Sequence, residues 1–246
     1  MPRKRKKQRQ RVSTEEYVGR ATEHLRGQKD IDSVHMQQIL NMPKAEFAKI
    51  LSDPEARRRY DAFREKVVRT VFTTVSYPIT TSRIVGEIKK DFKGKGSLSA
   101  FGFGVGYGTL LHSMKHDKQL RRMFRGRVRG VEMQTAPAEI TKEHNLRIHH
   151  GIKAEDLGFF SKIGFKPVRV TYSIDFLNSE VIGYEPKVLD AIAANIAKMT
   201  AKGGKSYHIV GSKHTALTPK IFERHGLKVE KWERTKEGVL FIKLSK

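Results

Sequence analysis

Residues 100–109 read Ala-Phe-Gly-Phe-Gly-Val-Gly-Tyr-Gly-Thr, with glycine at 102, 104, 106 and 108. Glycine at every second position weakens helix and strand alike, because it removes the side chains either would pack and adds backbone freedom that folding must freeze. The pattern suits a tight return between a strand and a helix. Glycine there accepts positive φ and lets backbone approach a ligand closely, while the next helix presents unpaired amides. The flanks agree: the apolar run 98–103 precedes the glycines, and a helix is expected over 107–124. A G-x-G-x-x-G fingerprint starting at Gly102 or Gly104 meets Tyr107 or Thr109 where its last glycine belongs, and no Gly-Lys-Ser/Thr ending follows. Both the dinucleotide fingerprint and the P-loop are thereby excluded.

Beyond residue 83 short apolar runs alternate with helical stretches. The runs are 98–103, 128–131, 146–149, 168–174, 206–210, 227–232 and 238–244; helices are expected over 107–124, 135–143, 186–201 and 217–225. Such alternation predicts an α/β sheet that is mainly parallel, and the short gap between the last two runs predicts a closing antiparallel hairpin. Ahead of it, Ser13-Thr14-Glu15-Glu16 is a capping box, and Ser52-Asp53-Pro54-Glu55 a second helix start. The chain therefore divides into a basic arm over 1–12, a helical N-terminal segment over 13–82 and an α/β domain over 83–246. The helix-turn-helix look of 34–51 is read as simple packing.

Charge bears on partners more than on fold. Lys and Arg number 49 against 26 Asp and Glu, a formal +23. A surface of that sign gathers polyanions, so nucleic acid is the expected partner, with RNA favoured. Candidate phosphate contacts are Arg3, Lys4, Arg5, Lys6 and Lys7 of the arm, Arg57, Arg58 and Arg59, and Arg121, Arg122 and Arg125. The chain has no cysteine, which rules out disulfides, thiolate metal sites and a Cys nucleophile. No membrane span or secretory leader is expected, nor a metal site; an intracellular, cytoplasmic protein is, or a nuclear one if the host has a nucleus.

The glycine run followed by Arg129-Gly-Val-Glu-Met133 resembles the first two motifs of class I, Rossmann-like S-adenosylmethionine-dependent methyltransferases, whose first motif is acid-x-G-x-G-x-G. Residues 145–157 resemble that family's third strand and acidic loop, 168–178 its fourth strand and exit loop, and 202–205 its turn into strand five. The resemblance implies a seven-stranded, mainly parallel sheet with a C-terminal antiparallel hairpin. It also implies S-adenosylmethionine as cofactor, held by Gly102, Phe103, Gly104, Gly106, Tyr107, Gly108, Glu132, Met133, Glu155, Asp156 and Ser173. Glu132 would take the ribose hydroxyls, and Asp175 is the candidate general base. The family's acid ahead of the glycines is absent, its position being Ala100 or Gly102. Three functions follow: a methyltransferase acting on nucleic acid, a degenerate fold kept as a nucleic-acid-binding scaffold, or a methyltransferase of a protein or small-molecule substrate.

Overall fold

The computed structural model describes residues 12–27, 44–60, 62, 78–132, 137–156, 164–174, 177, 186–210, 217–234 and 239–246. The arm's Arg3 to Lys7, Met133, Asp175 and the stretch 34–43 lie outside the described residues. Helix α1 is Thr14–Gly27, α2 Lys44–Ser52, and residues 54–60 are helical. The capping box at the start of α1 forms: the Glu16 amide donates to Ser13 Oγ at 3.1 Å.

Helix α3, Pro78–Asp91, runs straight across residue 82 into the sheet domain. It buries Ile84 and Ile88, and Phe92 just beyond its end, against the sheet. Each such side chain stabilises the packing by roughly 1.5–3 kcal/mol. Lys243, on the strand below, is 6% exposed, and its Nζ donates to Asp91 at 2.7 Å and Glu87 at 3.2 Å. Burial works against that charge, but the hydrogen bonds to Asp91 and Glu87 prevail and hold its pKa above the ordinary lysine value. Breaking this pairing would strand half-buried carboxylates, so α3 is tied to the sheet electrostatically as well as by packing.

The strands are β1 Ala100–Phe103, β2 Val128–Glu132, β3 Ile148–His150, β4 Val168–Ile174, β5 Thr200–Val210, β6 Lys228–Arg234 and β7 Leu240–Ser245. They form one seven-stranded sheet in the order β3-β2-β1-β4-β5-β7-β6. The first five pair in parallel, and β7 runs antiparallel between β5 and β6. The remaining helices are α4 Thr109–His116, α5 Lys118–Phe124, α6 Ala138–Glu143, α7 Pro186–Met199 and α8 Pro219–Glu223. Helices α3 to α5 cover one face, and α7 and α8 the other. A sheet whose order reverses between β1 and β4 opens a crevice at its carboxyl edge there, where ligands of such folds sit.

Three sequence expectations shift at this level. The helix over 107–124 is two helices, because the Asp117 carboxylate caps the second by accepting from the Gln119 and Leu120 amides. The turn read at 202–205 lies inside β5, as a bulge with Gly203 at φ 71°. Helix α7 ends at Met199, two residues early, as strand β5 begins.

A hydroxyl ladder crosses β4 and β5. Thr171 Oγ1 donates to Ser206 Oγ at 2.6 Å, Ser206 Oγ meets His208 Nε2 at 2.6 Å, and Ser173 Oγ meets His208 Nδ1 at 2.8 Å. All four side chains are fully buried. Burial pushes the His208 pKa down to about 3, so the ring is neutral and acts as a hydrogen-bonding spacer.

Candidate functional site

Strand β1 ends at Phe103, and the chain then turns through Gly104, Gly106 and Gly108 with φ of 57°, 53° and 69°. L side chains rarely adopt such angles, so alternate glycines are what the turn needs. Gly108 is the N-cap of α4, and a Cβ there would meet Ile148 Cδ1 at 2.6 Å. The loop folds back over the sheet: the Val105 amide donates to the Val131 carbonyl at 3.2 Å. The Val105 side chain lies over Gly102 and Gly130, which pair in register; a Cβ on either would sit 2.3 or 2.7 Å from Val105 Cγ1.

Glu132 closes the loop from the end of β2. Its Oε2 accepts from the Gly106 amide at 2.6 Å, and the residue is 8% exposed. The Glu132 carbonyl accepts from the Ile152 amide at 3.1 Å, which brings the turn after β3 alongside. That turn carries half-buried Glu155 and exposed Asp156, and it is held to α7 by Asn195 Nδ2 donating to the Ala154 carbonyl at 2.7 Å. The structure thus gathers Gly104, Gly106, Gly108 and Glu132, with the Glu155–Asp156 turn adjoining through the backbone. Phe103 contributes main chain only, since its side chain is buried against α7 and α8. Ser173 turns its hydroxyl to His208 inside the sheet.

The glycines with positive φ in the loop are 104, 106 and 108, so Gly102 stands two residues ahead of the first of them, while Ala100 is at the far end of β1. Tyr172 pairs with Gly102 across β1 and β4, and a Cβ on Gly102 would meet its Cζ at 2.6 Å and its hydroxyl at 2.8 Å. The Tyr172 side chain is 2% exposed, and among the described residues its hydroxyl has no hydrogen-bond partner; nor has Thr109 Oγ1, at the start of α4. A buried hydroxyl without a partner costs about 1–3 kcal/mol, so two beside one loop mark a place where a polar ligand fits.

Tyr107 points outward, and α1 covers it. Tyr17 donates its hydroxyl to the Tyr107 carbonyl, and the Tyr107 hydroxyl shares a 2.8 Å hydrogen bond with His24 Nδ1. Tyr17 also stacks on His112 at 4.2 Å and meets His144 edge-on at 4.7 Å. Burial, then His116, His144 and Lys115 nearby, push the His112 pKa down to about 3. These contacts were missed in the sequence; the only signal was an aromatic residue on the apolar stripe of α1.

Neutral buried histidines make stability depend on pH. The folded pKa of His112 and of His208 is about 3, against about 6.5 in an unfolded chain. The unfolded state therefore binds more protons, and their contribution is full above pH ~6.5 and lost as pH falls from there towards ~3. Between pH ~7 and ~6 the unfolding free energy should drop by about 1.4 kcal/mol for the two groups together. Urea unfolding midpoints at the two pH values check this; a flat or rising stability would contradict it.

The other cationic candidates are exposed. Arg57, Arg58 and Arg59 lie on helix 54–60, with Arg59 paired to Glu55, while Arg121 and Arg122 lie on α5 and Arg125 is its C-cap. Among the described residues no group of three or more His, Asp or Glu is arranged to hold a metal ion, and no helix is long and apolar enough to cross a membrane.

No protein-family model matches the sequence, and no curated protein matches it by sequence. Solved structures do match by shape. The TehB-like SAM-dependent methyltransferase of Corynebacterium glutamicum superposes with a TM-score of 0.51 at 14% identity, over 79% of this chain and 100% of that one. A SAM-bound amino pentose methyltransferase of Micromonospora echinaspora gives 0.48 at 14% identity, over 70% of this chain and 92% of its own. The SAH-bound magnesium protoporphyrin IX methyltransferase of Synechocystis gives 0.47 at 12%, over 68% and 83%. The fold is that of the class I, Rossmann-like S-adenosylmethionine-dependent methyltransferases. The strand order and the TehB-like enzyme, which is matched along its whole length, carry that likeness of fold.

Proposed function

We propose that this chain is an S-adenosylmethionine-dependent methyltransferase acting on nucleic acid, RNA first. The observation that carries the reading is the Glu132 carboxylate on the Gly106 amide, at the carboxyl edge where the strand order reverses. When bound, the cofactor supplies a methyl group on a positively charged sulfur. Glu132 would hold its ribose: a carboxylate has about four acceptor sites, enough for a loop amide and two hydroxyl donors. The glycine loop gives close backbone approach, and the first turn of α4 offers amides unused by the helix. Asp175, just beyond β4, is the group assigned to take the acceptor's proton, and Met133 and the Glu155–Asp156 turn the residues assigned to the adenine side. The rest of the catalytic work is alignment of donor and nucleophile. The +23 charge supports the choice of a polyanionic substrate.

The residues fit the cofactor in one further respect. The unpartnered Tyr172 hydroxyl stands where the family's acid would be, and a bound polar group would satisfy it. Tyr172→Phe should weaken cofactor binding by about 0.5–1.5 kcal/mol, yet leave the melting temperature level or higher, since an orphaned hydroxyl goes with it. Unchanged affinity in that variant would exclude the hydroxyl from the site.

The substitution of that acid also favours a second reading, a scaffold that keeps the fold and has lost the cofactor. Transfer of labelled methyl groups from S-adenosylmethionine to RNA, DNA and protein fractions separates the readings. Label in RNA is expected. Label in protein alone would move the substrate, and label in no fraction would favour the scaffold.

A further inference from the structure

Three cavities lie along the amino-terminal edge of the sheet, opposite the glycine loop. One of about 350 Å³ is bounded by Arg127, Arg129, Arg147, Lys166 and Phe165. A second, about 400 Å³, shares Arg129 and Arg147 with it, and a third, about 520 Å³, shares Arg147 and adds Lys142. Among the described residues no carboxylate lines any of the three. Arg127, Arg129, Arg147 and Lys166 are all exposed, and none has an ion pair among the described residues.

Crowding like charges in adjoining concavities costs self-repulsion unless a polyanion relieves it, and low-dielectric walls focus the field of such a cluster. Phe165 shapes the floor. It packs edge-on against Phe101 at 4.9 Å, with the Arg129 guanidinium over its ring at 5.8 Å. An arginine so placed is held for use, and its fork of donors matches phosphate oxygens.

We infer that this edge is a phosphate-binding groove, centred on Arg147, that holds the backbone of single-stranded nucleic acid. Its charged groups are all cations suited to phosphate, so it positions a backbone more than it reads bases. It lies about a strand's length from the glycine loop, roughly 10–15 Å at ~3.3 Å per residue, so it holds substrate without crowding the cofactor edge. The inference rests on the nucleic-acid part of the proposed function and is independent of methyl transfer.

The test compares two charge-matched triples of the full-length chain, with a short labelled single-stranded RNA as probe and fluorescence anisotropy at several salt concentrations. The groove triple is Arg129→Gln, Arg147→Gln and Lys166→Gln. The control is Lys187→Gln, Lys198→Gln and Lys220→Gln, exposed on α7 and α8. Melting temperatures confirm that both fold. The groove triple should flatten the plot of log affinity against log salt by about 2, at ~0.7 per lost contact, and weaken binding about tenfold, while the control stays within about twofold. Wild-type binding with equal losses in the two triples overturns the groove alone. No binding by wild type at physiological salt overturns the nucleic-acid reading and the groove with it.

Discussion

Gly102→Asp, which restores the acid found at this place in the family, should destabilise the protein by on the order of 4 kcal/mol and should not improve cofactor binding. The new Cβ would lie 2.3 Å from Val105 Cγ1 and 2.6 Å from Tyr172 Cζ. Neither neighbour gives easily. Val105 is wedged over the Gly102–Gly130 pair, and the Tyr172 ring is rigid and buried between β1 and the helices above it. The carboxylate adds a charge beside a valine methyl and the Tyr172 ring, with no cation among the nearest described atoms, and burying a charge without a partner costs several kcal/mol. Gly102→Ala separates the two contributions: it carries the steric part alone and should cost about 1–3 kcal/mol. Urea unfolding with both variants checks the order Asp worse than Ala worse than wild type. If Gly102→Asp folded as stably as wild type and bound cofactor more tightly, Tyr172 would not occupy the acid's place.

That prediction depends on something the sequence did not contain in readable form. The glycine run identified a strand-to-helix return, because alternating glycines have few other uses, and the return is where it was expected. The mainly parallel sheet and its closing hairpin followed from the alternation of apolar runs and helical stretches. Which residue stood for the missing acid was open between Ala100 and Gly102, since the answer depends on where β1 stops and φ turns positive. Tyr172 is 70 positions away and reaches Gly102 only through the β1–β4 register. Ser173 illustrates the same limit. The resemblance assigned Ser173 to the cofactor, whereas its pairing with His208 turns its hydroxyl into the buried ladder. Asp117 was a cap signal in plain view, masked by helical periodicity that continues on both sides. The cover of α1 on Tyr107 and His112 is a tertiary contact between partners about 90 residues apart, and no local propensity encodes that.

Glu132→Ala is expected to have the largest effect on function. The carboxylate ties β2 to the Gly106 amide and is the group assigned to the ribose, so its removal takes away a loop anchor and charged hydrogen bonds to the cofactor together. Charged hydrogen bonds contribute about 1.5–3 kcal/mol, so affinity should fall roughly 10- to 150-fold. Stability should fall much less, since the β2 pairing with β1 and β3 is made by backbone groups that the substitution leaves in place. A variant that instead unfolds at ordinary temperature would mean that Glu132 serves the fold first.

Titration calorimetry of the full-length protein with S-adenosylmethionine, wild type beside Glu132→Ala, tests the cofactor site most directly. Wild type should bind one equivalent saturably, with a dissociation constant of about 1 mM or tighter, and Glu132→Ala at least about tenfold more weakly. No binding by wild type at millimolar cofactor, or equal binding by the two proteins, would contradict the site.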